Sequence, residues 1–235
     1  LEAMKRQGIA GALVFDAGVG GPLAPDGPKF MSPRWREHLK FALEEADRLG
    51  LTLSLNLCSG WNAGGPWVEP EMASQVMAFA QSQPITGPAT FNGAIPTTKD
   101  GSPTLAALRN DTAYVLAIRQ RGQRVLNLTG KVTQQRTLTW DVPEGVWTLI
   151  GLYSRPDAPR VRSCSTSGAG YHHDHCSEVG TDLMIANVAD PILAKLGSFE
   201  NTAFDGFNLD SWELGKPTWT PRFRQEFLVR RGYDP

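Results

Sequence analysis

The chain has 235 residues, of which 41% are hydrophobic and 20% charged, and its net charge is −1. This composition is typical of a globular protein with a substantial core, folded as one large domain or two small ones. The balanced charge gives no electrostatic case for nucleic acid or an anionic membrane as a partner, and no apolar run approaches the roughly 18 residues that a membrane helix requires. Three cysteines, an odd number without close pairing, argue against a disulfide framework.

The first third of the chain alternates apolar runs with stretches of helical periodicity. Ser32 and Pro33 are a good helix start, because a hydroxyl can cap the helix and proline suits its first position. In chain order we predict the end of a helix over residues 1–7, a buried parallel strand over 9–15, a Gly-rich loop to 27, a helix from Ser32 to Gly50, a buried strand over 51–58, a loop over 60–70 and a helix over 71–80. Alternating units of this kind imply a parallel sheet or barrel.

From about residue 84 the pattern changes to short strand-like runs separated by turn residues, which is typical of a small antiparallel β domain. The clearest runs are residues 114–118, 124–128, 137–140 and 146–153, with a turn at Asp141–Gly145. The remaining predictions are a helix over 176–196 that breaks or kinks at Asp190-Pro191, a third buried strand over 204–209, and a last helix from Thr220-Pro221 to Gly232 with Phe223 and Phe227 on its inner face.

These elements predict an α/β fold, a partial (β/α)8 TIM-type barrel with an inserted small antiparallel β domain. Residues 1–83 would form the first part of the barrel, residues 84–160 the inserted β-rich domain, and residues 161–235 the continuation of the barrel. A complete barrel needs roughly 250 residues, so it cannot close from the units visible here. Because a helix is already under way at Leu1, we expect the chain to be part of a longer polypeptide.

In a barrel the active site lies at the C-terminal ends of the strands and in the loops that follow. Asp210, Trp212 and Glu213 leave the end of the third predicted strand, with an aromatic ring between two carboxylates. Glycoside cleavage needs carboxylates as acid and base or nucleophile, and a flat ring can form a wall for the sugar. Glu213 is therefore the main catalytic candidate, with Asp210 and Trp212 as substrate contacts. The alternative is a solvated loop acid or a helix-capping aspartate.

A second candidate region is the loop over residues 58–67, whose glycines let the backbone approach a ligand closely. Trp61 and Trp67 could be stacking platforms for a sugar, and Asn62 a partner for its hydroxyls. Glu71, at the start of the predicted helix, is the natural second catalytic carboxylate, although an acid there also complements the helix dipole.

Two further places could contact substrate. Asp16 ends the first predicted strand ahead of a Gly-rich loop, although aspartate is also common in turns. Residues 171–176 carry three histidines and an aspartate, but adjacent side chains cannot all turn toward one zinc ion. We therefore expect His173 or Asp174 to contact substrate instead, and metal ligands stay unassigned.

Several stretches are specific enough to compare with known families. They are Leu1–Lys5, Gly60–Asn62 with Gly64–Trp67, Leu138–Pro143, Asp210–Glu213 with Trp219–Pro221, and Arg230–Asp234. Together they resemble glycoside hydrolase family 106, the α-L-rhamnosidases, along most of the chain.

The resemblance implies a barrel interrupted by a β domain within a much longer protein, which hydrolyses terminal α-linked L-rhamnose with inversion. It puts Glu213 on one of two catalytic glutamates and Glu71 on the other, and inversion would place the two carboxyls roughly 6.5–9.5 Å apart. It also implies a periplasmic or secreted location and allows a calcium ion near the sugar hydroxyls, whose ligands do not map onto this chain.

Two alternatives stay open, and both have a carbohydrate as the partner. The chain could belong to a non-catalytic carbohydrate-binding protein on the same scaffold, because the Trp-rich loops fit that function equally well. It could also belong to a barrel glycosidase of another specificity, such as a galactosidase, because the sequence does not reveal which sugar hydroxyls are recognised. An incomplete barrel leaves sheet edges open, so the fragment alone could lack part of the site.

Overall fold

The computed structural model describes residues 1–18, 27–97, 113–122, 124–157, 161–197, 202–211 and 219–235. These residues form a mixed α/β structure in which strands predominate. In chain order the elements are α1 (Glu2–Arg6), β1 (Gly11–Asp16), α2 (Pro33–Leu49), β2 (Thr52–Ser59), β3 (Gly64–Gly65), β4 (Gln75–Gln81), β5 (Ile85–Ala94), β6 (Ala113–Arg119), β7 (Val125–Asn127), β8 (Thr137–Pro156), β9 (Tyr171–His172), α3 (Glu178–Met184), α4 (Asp190–Leu196), β10 (Phe204–Asn208) and α5 (Phe223–Arg231). They divide into two compact units, Leu1–Ser74 with Pro156–Arg222 and Gln75–Arg155 with Phe223–Pro235.

The first unit is built around a parallel sheet with the strand order β1-β2-β10. Strand β2 is buried along most of its length, as expected for the centre of a parallel sheet. The outer strands are only partly buried. Leu13 in β1 is 41% exposed, and Leu209, just after β10, is 54% exposed. The three predicted strands and their parallel pairing are confirmed, and full burial is confirmed for β2 alone. Among the described residues β1 and β10 each pair with β2 alone.

Helix α2 follows its local sequence signals. The Ser32 hydroxyl accepts a hydrogen bond from the N–H of Trp35 at 3.2 Å, and Pro33 is the first helical residue. The helix ends at Gly50, whose φ of 62° lies in the left-handed region that favours glycine. The prediction of a helix from Ser32 to Gly50 is confirmed. Its buried residues share one core with β2 and are Leu39, Leu43 and Ala46.

The helix predicted over residues 71–80 is wrong. Residues Pro70–Met72 form a single 3-10 turn, and the chain then runs into strand β4. Ala73 makes an antiparallel bridge with His173, and the N–H of Ser74 donates to the carbonyl of His172 at 3.0 Å. Pairing with this distant segment extends the backbone, so a tertiary contact overrides the helical spacing of the apolar residues.

The second unit contains a five-stranded sheet in which β5 and β6 both pair antiparallel with β8, and β7 pairs with β6. The turn predicted at Asp141–Gly145 is wrong, because β8 runs through it as one strand of 20 residues. Two steps along β5, from Gly87 to Ala89, match three along β8, so the segment forms a β-bulge. Trp140 and Trp147 are 4% and 1% exposed and belong to the core of this unit.

The helix predicted over residues 176–196 is confirmed as a continuous helical run from Glu178 to Leu196. Its middle turn, Ile185–Ala189, is π-helical. Pro191 has no N–H to donate to the preceding turn, and the chain widens just ahead of it instead of breaking. No helix within the described ranges is long and apolar enough to cross a membrane.

The last helix, α5, is confirmed with a start a few residues later than predicted. It ends before Gly232, whose φ is 75°. Phe223 and Phe227 lie on one side with ring centroids 5.7 Å apart, and Phe227 also contacts Tyr233 edge-on at 5.2 Å. The aromatic side chains therefore hold the C-terminal turn onto the helix.

Candidate active site

The parallel strands of the first unit end at one edge of their sheet, and carboxylates lie at that edge. Asp16 is the last residue of β1, and Asp210 follows β10. Burial raises the pKa of the nearby Cys58 thiol to about 12, against the effect of a hydrogen bond from Asn56. The charges of Asp210 and Asp16 raise that pKa further. Asp16 and Asp210 thus lie at the same edge of the sheet, at the ends of its two outer strands.

The Asp16 carboxylate is held from two sides. Its Oδ2 accepts a hydrogen bond from Nε1 of Trp35 at 3.1 Å, and its Oδ1 accepts one from the hydroxyl of Ser59. Its backbone carbonyl accepts from the N–H of Gly60 at 2.7 Å. Each carboxylate oxygen has a further lone pair, so Asp16 can still accept a hydrogen bond from a ligand hydroxyl.

Asp16 lines a cavity of about 790 Å³. This volume is within the range of small-molecule sites in proteins. The other lining residues are Phe15, Ala17, Gly27, Pro28, Lys29, Ser165, Thr166 and Ser167. A carboxylate, an ammonium group and several hydroxyls beside an aromatic ring suit a polyhydroxylated ligand, because such a ligand both donates and accepts hydrogen bonds.

The loop after β2 carries three of the predicted sugar contacts. The Trp61 ring meets Phe15 edge-on at 5.6 Å, and the Trp67 ring stacks on Phe30 at 6.2 Å. Asn62 is 2% exposed, and neither of its side-chain amide atoms has a hydrogen-bond partner among the described residues. Buried polar atoms are nearly always paired, so an unpaired buried amide is the expected mark of a group that bonds a ligand.

Residues His172–Asp174 lie between two other segments of the first unit. On one side Gly64 pairs with His172, and the Nδ1 of His173 lies 3.2 Å from the carbonyl of Ala63. On the other side the N–H of Asp174 donates to the carbonyl of Met72 at 2.9 Å. The segment thus joins the Trp-rich loop to the turn that carries Glu71.

The two histidine rings and the aspartate of this segment differ in their partners. The rings of His173 and His175 lie 4.0 Å apart, and burial lowers the pKa of both, to about 4 for His175. Asp174 is 4% exposed: its Oδ1 accepts from the N–H of Cys176 at 2.9 Å, and its Oδ2 accepts from the hydroxyl of Thr220 at 2.6 Å. Both oxygens of Asp174 are therefore engaged within the protein.

Of the two predicted catalytic glutamates, the structure describes only Glu71. Glu71 is exposed on the 3-10 turn of residues 70–72. Glu213 and Trp212 lie outside the described residues. The expected separation of roughly 6.5–9.5 Å between the two carboxyls stays a prediction.

The calcium ion allowed by the family resemblance finds no ligand set in the described part of the chain. No group of three or more His, Cys, Asp and Glu side chains comes together there in a way that could hold a metal ion. In the histidine-rich segment, Nδ1 of His173 faces the carbonyl of Ala63, and both oxygens of Asp174 accept hydrogen bonds from Cys176 and Thr220. No step of the chemistry is therefore derived through a metal.

Sequence reasoning missed Ser59, Ser165, Ser167 and Lys29, which surround Asp16 or line its cavity. The sequence feature that could have indicated the serines is the run of small residues at 163–167, four of which carry a hydroxyl, far from Asp16 in the chain. Its meaning depends on the backbone path, because the N–H of Gly18 donates to the carbonyl of Ser163 at 2.8 Å and so brings that run to the end of β1.

Carboxylates and aromatic rings at the ends of parallel strands are features that glycoside hydrolases commonly have. The sequence model of glycoside hydrolase family 106, described as alpha-L-rhamnosidase, matches residues 1–121 and 105–235. The chain therefore belongs to this family, as the motifs of the sequence indicated.

Two individual proteins are similar to the chain. A Formosa agariphila protein named "Putative beta-glucuronidase" is 30% identical over 266 residues, which cover 100% of this chain and 23% of that protein. The structure of a rhamnosidase from Novosphingobium sp. PP1Y superposes with a TM-score of 0.66 at 16% identity, over 99% of this chain and 38% of that one. The chain thus spans well under half of either protein, and the second likeness shows the fold alone.

Proposed function

We propose that the protein containing this chain hydrolyses terminal α-L-rhamnosides, with the sugar bound where β1, β2 and β10 end. The observation that carries the proposal is the placement of Asp16 and Asp210 at this edge of the sheet, with the buried, unpaired amide of Asn62 in the loop that follows β2. The choice of L-rhamnose as the sugar rests on membership of the rhamnosidase family. The same membership and the three parallel strands support a complete (β/α) barrel in the whole protein, interrupted by the strands of Gln75–Arg155 as an inserted β domain.

The proposed mechanism uses Glu213 and Glu71 with inversion at the anomeric carbon. One carboxylic acid protonates the glycosidic oxygen as its bond to the anomeric carbon breaks. The other carboxylate takes a proton from a water molecule, whose oxygen attacks that carbon from the opposite face. Asp16 and Asn62 would hold the sugar by accepting from, and donating to, its hydroxyls, while Trp61, Trp67 and Trp212 would form apolar walls.

The test is Glu213→Gln in the full-length protein, assayed on an aryl α-L-rhamnoside. Glutamine keeps the size of the side chain but can neither release nor take up the proton, so we expect a loss of roughly 10²- to 10⁴-fold in kcat. Glu44→Gln, at an exposed position on α2, is the matched control and should keep full activity. Unchanged hydrolysis by the Glu213→Gln variant would contradict the proposal.

A second candidate function is cleavage of a glycoside that carries a carboxylate. Two observations favour it: the name of the Formosa agariphila protein, and Lys29, an exposed ammonium group that lines the cavity beside Asp16. A screen of aryl glycosides that includes an α-L-rhamnoside and a β-D-glucuronoside separates the two functions. Turnover of the glucuronoside alone would replace rhamnoside cleavage with the second candidate.

A further inference from the structure

Ser59 lies at the centre of a group of hydrogen bonds behind the Asp16 carboxylate. It is 1% exposed. Its hydroxyl donates to Oδ1 of Asp16, because an ionised carboxylate can only accept. Its oxygen accepts from the N–H of Ser165 at 2.9 Å and lies 3.1 Å from the hydroxyl of Ser165. The direction of the Ser59 hydroxyl is therefore determined by its neighbours on both sides.

Ser59 reaches this place through an irregularity in the sheet. Val14 of β1 pairs with Leu55 of β2, so a regular register would put Leu57 beside Asp16. The register shifts between Val14 and Asp16, and Asp16 pairs with Ser59 instead. A β-bulge next to a site commonly redirects a side chain in this way. Here it replaces an apolar neighbour of the carboxylate with a hydroxyl donor.

The irregular stretch is itself held in place. Nδ2 of Asn56 donates to the carbonyl of Gly60 at 2.8 Å across the bulge. Gly168 packs directly on Ser59, and a β-carbon at position 168 would overlap the serine side chain. On the far side the Ser165 hydroxyl lies 3.4 Å from that of Ser167, whose oxygen accepts from the N–H of Phe30 at 2.8 Å. Ser59 thus has little freedom to leave Asp16.

We propose that Ser59 is a positioning residue: it orients the Asp16 carboxylate so that the free lone pairs accept a hydroxyl of the bound sugar. This inference rests on the proposed function and adds to it a residue that acts through Asp16. Asp16 lines the cavity, whereas Ser59 is buried and is not one of the residues that line it. A carboxylate held by Trp35 and Ser59 is already ordered before the sugar arrives, which lowers the cost of binding.

The experiment is a double-mutant cycle in the full-length protein with Ser59→Ala, Asp16→Ala and the double variant. We measure kcat and KM on the aryl glycoside that the wild type cleaves. If Ser59 acts through Asp16, Ser59→Ala should raise KM about tenfold alone and less than about twofold in the Asp16→Ala background. Ser59→Cys keeps a weak donor of similar size and should recover part of the loss.

The matched control is Ser54→Ala on the same strand, where a half-buried serine donates to the carboxylate of Asp205, away from the cavity, at 3.2 Å. This variant should keep the wild-type KM. A crystal structure of the Ser59→Ala variant gives a second readout, in which the Asp16 carboxylate should leave its wild-type rotamer. Losses that multiply in the double variant, or an unmoved Asp16, would overturn the inference and leave rhamnoside cleavage intact. A protein that neither cleaves nor binds a glycoside overturns both.

Discussion

Asn56 and Asn62 are both buried, at 0% and 2% exposure, yet their side chains have different surroundings. Nδ2 of Asn56 donates to the carbonyls of Gly60 and Cys58, at 2.8 and 3.3 Å. In Asn56 only the side-chain oxygen lacks a hydrogen-bond partner among the described residues, whereas in Asn62 both amide atoms lack one. A buried polar group without a partner costs roughly 1–3 kcal/mol of folding free energy. The unpaired amide of Asn62 near the strand ends is best explained by a ligand that completes its hydrogen bonds.

The different surroundings of Asn56 and Asn62 predict different effects of their substitution on stability and activity. Asn56→Ala breaks existing hydrogen bonds and should lower the free energy of unfolding by about 1–3 kcal/mol. Asn62→Ala removes an unpaired amide, so it should lower that free energy less and raise KM more. Urea unfolding and steady-state kinetics of both variants check this. If Asn62→Ala were the more destabilising and left KM unchanged, Asn62 would be a structural residue.

At the scale of elements, residues 172–175 join two loops of the first unit and carry a cluster of histidines. Burial is the main cause that lowers the pKa of His173 and His175, and for His175 the neighbouring His173 and His172 contribute as well. The pKa of His175 falls from 6.5 to about 4. Between these two pH values the unfolded chain therefore binds more protons than the folded one. The contribution of His175 to stability is therefore complete above about pH 6.5 and is lost as the pH falls toward 4.

We therefore expect acid sensitivity in this window. Allowing for the part of the ring that solvent reaches, His175 should account for about 1–2 kcal/mol of the loss. His175→Gln should flatten the dependence of the unfolding free energy on pH, whereas His38→Gln, at an exposed position on α2, should not. Urea unfolding at intervals between pH 4 and 7 measures this. An unchanged slope in His175→Gln would show that other groups cause the sensitivity.

Local signals predicted some elements and distant contacts decided others. Helix α2 could be predicted from its ends, because Ser32 and Gly50 act within a few residues of their own backbone. Residues 71–80 and Asp141–Gly145 could not, because their conformation depends on distant partners. Residues 73–74 pair with residues 172–173, β4 pairs with β8, and Asp141–Gly145 lies within β8 opposite β5. A helical spacing of apolar residues and a Pro-Glu-Gly turn sequence are both weaker than a full ladder of strand hydrogen bonds.

The same division applies to the candidate site at the scale of the whole molecule. Asp16 and Asp210 could be proposed from sequence because the C-terminal end of a parallel strand is a general place for function, and their role stays a prediction. Ser59, Ser165 and Ser167 were not, because they reach Asp16 through a register shift and a contact between distant segments. The sequence therefore predicted the carboxylates of the site, and only the three-dimensional structure revealed the residues that hold one of them.

Strands β1 and β10 lead to a prediction about the whole protein. Among the described residues each pairs with β2 alone, and apolar side chains at both are exposed, among them Ile9 at 44%, Leu13 at 41% and Leu209 at 54%. Parallel strands are normally covered on both faces and paired on both edges. An unpaired apolar edge also invites association with other chains. We predict that further strands of the full-length protein pair with β1 and β10.

The substitution Leu13→Lys tests whether β1 is covered by further elements in the full-length protein or is an open sheet edge there. In the chain of residues 1–235 alone, the charge should reduce self-association, because an exposed lysine blunts an open edge. In the full-length protein the same charge would be buried beside a neighbouring strand or helix and should lower the melting temperature by several degrees. Light scattering of the short chain and thermal unfolding of the long one give the two readouts. A full-length Leu13→Lys variant as stable as the wild type would mean that β1 stays an open edge and that the barrel does not close there.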